Sequence, residues 1–136
     1  MKVAHVVLLS LGANEVPILD NVDDPQTKEE FEALQYKSSS PILWEDYKAK
    51  YDEILMRTAL KKIRFERNIR IAKTDWIMTV DNVESLANKN DWIAYRQALR
   101  DLPDNMPPLV WKGNELDFSK MNMPVEPPIV RIPKPT

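Results

Sequence analysis

Side-chain catalysis draws on a short list of groups, and this 136-residue chain holds few of them in a usable arrangement. It has no Cys, which removes thiolate nucleophiles, disulfides and cysteine-ligated metal centres, and fits a reducing compartment. Any Ser-His-Asp triad, two-histidine metal motif or proton relay would have to run through the single histidine, His5. His5 sits inside the apolar stretch Val3 to Leu9 and reads as a strand-face residue. The closest acid pairs are Asp23 with Asp24, Asp52 with Glu53, and Asp101 with Asp104. None has the spacing of a calcium loop, and adjacent residues on a helix point in different directions, so Asp52 and Glu53 do not converge on one atom. With only two glycines, a Gly-rich phosphate loop is excluded. No catalytic, cofactor-binding or metal-binding residue is assigned, and the composition points to a protein that is not an enzyme.

The second chemistry to weigh is charge. Residues 1 to 40 carry seven acids against three lysines, whereas residues 48 to 73 carry nine bases against three acids. Arg and Lys clustered on one helix form the electrostatic footprint of phosphate binding, so a nucleic-acid face is one reading. Pairing with the acidic N-terminal half, or plain solvation, is the other. The net charge of -2 favours the second.

The elements that carry these residues follow from periodicity and punctuation. Lys2 to Leu11, rich in Val and Leu, reads as a strand closed by the turn Gly12-Ala13-Asn14, and Val16, Ile18 and Val22 as a second short extended piece. Asp24 as cap and Pro25 at the first helical position signal a short helix with Phe31 and Leu34 inward. Ser38 to Pro41 breaks the pattern. From Leu43 to about Ile71 no Pro or Gly interrupts the chain, which predicts one long helix. Its apolar positions run Trp44, Tyr47, Tyr51, Ile54, Leu55, Leu60, Ile63, then Phe65, Ile69, Ala72 and Trp76. Such a stripe drifts around the helix, so different partners must cover it along its length. Asp81 with Glu84 forms a capping-box pattern for a helical turn through Leu86. A second helix, capped by Asn88 or Asn90, carries Trp92, Tyr95, Leu99 and Leu102 on one face until Pro103 stops it.

Beyond this point the composition changes, because eight of the 11 prolines lie in the last 34 residues. Dense proline withholds backbone donors and favours extension, so this segment is predicted to be an extended arm. Leu109, Val110, Trp111, Ile129, Val130 and Ile132 are too many apolar side chains for a solvated linker, and are the candidate partner-binding residues. The fold expected is α+β, mainly α. A region of short N-terminal strands and a short helix (1–41) precedes a long helix and second helix paired as an antiparallel hairpin (42–103), and an extended proline-rich arm follows (104–136). The longest apolar run, Val6 to Leu9, is far too short to span a bilayer, so no membrane partner is expected.

Arg67-Asn68, Ile71, Thr74-Asp75-Trp76, Trp92 and Tyr95-Arg96-Gln97-Ala98-Leu99-Arg100-Asp101-Leu102-Pro103 occur in an order and spacing that resemble the tail assembly chaperone and tail fibre assembly proteins of tailed bacteriophages. The resemblance covers residues 60 to 111. It implies a non-enzymatic protein without cofactor that binds the distal, trimeric part of a tail fibre in the host cytoplasm and assists its folding or trimerisation. In some members it stays on the virion tail. A permanent structural component of the fibre or baseplate is the alternative, and a nucleic-acid module using the basic helix the second alternative. An assembling fibre exposes apolar surface and strand edges until its chains meet, and the arm or the first strand is suited to add to such an edge. The motif residues also have a structural reading. Thr74 or Asp75 caps the turn, Trp76 fills the space between helices, Tyr95 and Leu99 face it, and Arg96 and Arg100 stay at the solvent edge.

Overall fold

The computed structural model describes residues 2–15, 23–34, 37–38 and 40–133. The chain is mainly helical with short strands, and it divides into two compact units. One is Met1–Ala59 with Trp111–Leu116; the other is Leu60–Val110 with Asp117–Thr136.

The first unit opens with a helix, α1 (Ala4–Ser10), where a strand is predicted. Val3, Ala4, Val7 and Leu8 are buried while His5, Val6 and Leu9 are exposed, a helical spacing hidden within a run too uniformly apolar to alternate. Asp24 stabilises this start from 20 residues away: its carboxylate accepts from the backbone N–H of Val3 (2.7 Å) and Ala4 (3.0 Å). These are donors that the first turn of a helix leaves unpaired. Gly12 (φ 98°) closes the helix in the left-handed conformation that favours glycine. A strand follows, β1 (Ala13–Glu15), antiparallel to β2 (Lys37–Ser38), with Ala13 opposite Ser38. The extended piece expected over Val16, Ile18 and Val22 lies outside the described residues.

The short helix is α2 (Lys28–Glu32), not one starting at Pro25. Thr27 is its cap, accepting from the Glu30 N–H at 3.1 Å, while the Glu30 carboxylate accepts from the Gln26 N–H. This is a Thr-x-x-Glu capping box shifted by one residue. Asp24 does not cap α2 because its carboxylate is engaged at α1.

The long helix is present as α3 (Trp44–Thr74). Its N-terminal half packs Tyr47 and Tyr51 into the core of the first unit with Val3, Ala4, Val7, Leu8, Ala13 and Phe31. Phe31 and Tyr47 rings lie 4.8 Å apart and Trp44 stacks on Tyr47 at 5.7 Å. Farther along α3 the buried positions become Ala59, Ile63 and Thr74, so the apolar stripe does drift. Phe65 (70% exposed) and Ile69 nevertheless point to solvent, contrary to the predicted stripe. Ile63 and Phe65, two residues apart, cannot share one helix face, and Ile63 takes the inner one.

Within the second unit, a 3-10 turn over Asp75–Met78 leads to α4 (Val80–Val83) and α5 (Lys89–Asp101). Thr79, not Asp81, occupies the N-cap of α4, so the turn begins two residues before the predicted capping box. Ile77, Leu86, Trp92, Tyr95 and Leu99 form this unit's core, with Ile71 and Met78 packed against it. Trp111–Lys112 (β3) and Glu115–Leu116 (β4) make a hairpin in the first unit, with Gly113 (φ 63°) at its two-residue turn. Among the described residues no helix is long and apolar enough to cross a membrane.

Candidate functional site

The motif residues build a clamp around the end of α3. Arg96 is 9% exposed rather than at the solvent edge. Its Nη1 donates to Thr74 Oγ1 (2.6 Å) and to the Ile71 carbonyl (3.1 Å), and its Nη2 to Asp75 Oδ1 (2.9 Å). Thr74, 1% exposed, donates in turn to the Ile71 carbonyl at 2.9 Å. A fixed cation against the last carbonyls of a long helix satisfies orphan acceptors and complements the helix dipole. Arg96 can do this because the α5 face that buries Trp92, Tyr95 and Leu99 carries it to the same side, whereas Arg100 is exposed as expected.

Trp76 does not fill the space between helices: it is 49% exposed, and Ile77 is the buried residue. The 3-10 turn advances three residues per turn instead of 3.6, which rotates Ile77 inward and Trp76 outward. Neither Thr74 nor Asp75 caps that turn through its side chain. Both serve Arg96 instead. Tyr95 and Leu99 are buried as expected, with the Tyr95 ring edge-on to Trp92 at 6.1 Å. Burial, reinforced by Glu126, raises the Tyr95 phenol above its ordinary value, and Arg70 opposes this.

Trp92 has a second task that periodicity does not reveal. Its Nε1 donates to the Pro128 carbonyl (3.2 Å), which also accepts from Asn88 Nδ2 (2.8 Å). Asn88 stands at the N-cap position of α5 but bonds the arm, not the helix. The Ala87 N–H donates to the Val130 carbonyl and the Ile132 N–H to the Ser85 carbonyl, both at 2.8 Å, forming an antiparallel bridge between Leu86 and Arg131. Arg131 Nη1 adds bonds to the Asn82 carbonyl (3.1 Å) and Ser85 Oγ. The arm is extended over 122–133 but not throughout 104–136: in the proline-free stretch 109–123, Trp111–Leu116 forms the hairpin and Phe118–Lys120 a 3-10 turn, and the backbone from 128 to 132 lies on its own unit. The roles of Asn82, Ser85, Asn88 and Arg131 in fastening the arm are not legible in the sequence, because their partners lie 40 or more residues away and no local pattern marks that.

The predicted partner-binding side chains separate into two groups. Leu109, Val110 and Trp111 are half-buried, and Trp111 belongs to β3. Ile129, Val130 and Ile132 are exposed, as is Val125 (84%). Beside the arm, Glu66, Arg70, Lys73, Tyr95 and Glu126 line an open polar pocket of about 220 Å³, with Glu66 and Arg70 paired at 2.9 Å. Among the described residues no cluster of three His, Asp or Glu is placed to hold a metal ion.

The geometry thus defines a small helical protein whose motif residues lock a helix end and fasten an extended arm. Compared with protein families, residues 60–127 match the phage tail assembly chaperone proteins, and the chain belongs to that family. The match takes in all the clamp residues and runs past Trp111, where the resemblance in sequence ends, to Pro127. No curated protein and no solved structure matches the chain.

Proposed function

We propose that the protein binds a phage tail fibre at its distal, trimeric part and assists its folding or trimerisation in the host cytoplasm. Membership of the tail assembly chaperone family supports the assembly role. One observation carries the choice of surface: the arm is fastened through backbone groups while Ile129, Val130 and Ile132 face outward. A pre-ordered apolar ridge meets a partner without the entropy cost of ordering a free tail, which raises affinity. It suits a fibre whose apolar surfaces stay uncovered until three chains meet, since covering them suppresses misassembly. Leu109, Val110 and Trp111 support the ridge's unit and hairpin more than they offer contact, because each is already half-buried.

Co-expression of the tail fibre protein of the same phage with this chain tests the reading. Wild type is expected to raise the yield of soluble trimeric fibre, and Ile129→Asp with Ile132→Asp to lose that gain. An equal yield with and without the chain contradicts the proposal.

A further inference from the structure

The open edge of the arm at Arg131 carries an inference that rests on the fibre-binding reading and specifies its mode. In an antiparallel bridge whose flanking residues exchange the hydrogen bonds, the central pair turns its own N–H and C=O outward. Arg131 is in that position, because the bonds run from Ala87 to Val130 and from Ile132 to Ser85. Its N–H and C=O have no hydrogen-bond partner among the described residues, and neither do those of Ile129. Among the described residues the arm from 129 to 132 is therefore one strand wide, hydrogen-bonded on one side and without a partner on the other. Val130 and Ile132 project to one face of it and Ile129 to the other, all exposed.

We infer that this edge receives an extended strand of the fibre protein, which pairs its backbone with Ile129 and Arg131 and packs apolar side chains against Val130 and Ile132. Unsatisfied backbone groups in strand geometry select an extended backbone rather than a helix or a nucleic acid. The occupant is a foreign strand and not a second copy of the arm. Pro127, Pro128 and Pro133 bound the edge and leave four residues able to pair, and two such arms centred on Arg131 would set like charges directly opposite each other. A fibre strand need not set a like charge opposite Arg131.

Arg131→Pro removes the outward N–H and leaves the Ala87 and Ile132 bonds in place, while Arg131→Ala loses the same side chain but keeps the N–H. Binding of the purified distal fibre fragment is measured for wild type and both variants, with melting temperatures recorded. Amide hydrogen exchange in the wild-type chain, free and bound, provides a readout that needs no variant. The expected result is that Arg131→Pro binds at least tenfold more weakly than Arg131→Ala, and that the Arg131 amide becomes protected on binding while the Ile132 amide is already protected in the free chain. Equal binding by the two variants with an Arg131 amide that still exchanges overturns the edge and leaves fibre binding standing. No binding by wild type overturns the fibre reading and the edge with it. Protection of Arg131 in a free chain that sediments as a dimer makes a second copy the occupant, which also overturns it.

Discussion

Arg96 shows how one side chain can be central to the fold while its neighbours are not. Its guanidinium meets a threonine, a helix-end carbonyl and a carboxylate, and only the carboxylate is largely exposed. The Asp75 pair therefore contributes less than about 1 kcal/mol, and the buried bonds to Thr74 and Ile71 dominate. Arg96→Ala removes the charged donor from Thr74 Oγ1 and the Ile71 carbonyl, which keep only their bond to each other, and is predicted to cost about 2 kcal/mol, read as a lower denaturant midpoint, whereas Arg100→Ala stays within about 0.5 kcal/mol. Tyr47 presents the opposite case. Its hydroxyl is buried with no hydrogen-bond partner among the described residues, so Tyr47→Phe is predicted to stabilise by about 1 kcal/mol. Burial above all, with Asp24 adding, raises the Tyr47 phenol far above its ordinary value, and burial also raises Tyr51 and Tyr95. Below the ordinary phenol value of about 10, folded and unfolded chains are equally protonated and this contribution is complete. As pH rises further the unfolded chain ionises first, so stability falls, and thermal melts from pH 9 upward should fall less steeply in Tyr47→Phe than in wild type. At this scale the sequence located Tyr95 and Leu99 correctly because burial on α5 follows a 3.6-residue period. It misplaced Trp76 because a 3-10 turn changes that period, and it misplaced Arg96 because charge alone suggested the surface.

Among the elements, α1 takes the cap that the sequence offers to α2. The sequence offers Asp24-Pro25 as a helix start, yet the carboxylate is used by α1, and Thr27 with Glu30 starts α2. Asp24→Ala is therefore predicted to destabilise the first unit by about 1–3 kcal/mol through two lost bonds to buried N–H groups. Proteolysis should then open near residues 4–10 before it opens α5; cleavage of α5 first would contradict this assignment. The strand expected over residues 2 to 11 failed for the same reason: a short apolar run is compatible with either helix or strand, and a long-range cap decided it. The long helix was legible almost to its last residue because nothing in it breaks a helix and a serine–proline segment precedes it. The arm's extension was legible from its prolines. Its attachment was not, since Pro128, Val130 and Ile132 reach partners some 40 residues earlier through backbone groups that any sequence possesses.

For the molecule as a whole, the charge asymmetry has a partly internal resolution. Lys48 with Asp52, Lys50 and Arg57 with Glu53, and Arg70 with Glu66 place much of the basic run in pairs along α3 itself. Such pairs are weak individually, yet they reduce the free cation count that a polyanion would need, since phosphate binding scales with the number of charges neutralised. Two tasks then remain distinct in one chain: side chains of the family motif hold α3, α5 and the arm together, and the arm's outer side chains remain uncovered. The central claim is that those side chains engage the fibre. Calorimetric titration of the purified distal fibre fragment with wild type and with the Ile129→Asp, Ile132→Asp double variant tests it most directly. Both isoleucines are exposed, so the variant should melt with wild type, and burial of two apolar anchors predicts at least tenfold weaker binding with a less negative heat-capacity change. Equal affinity and heat-capacity change in a fully folded double variant would contradict it.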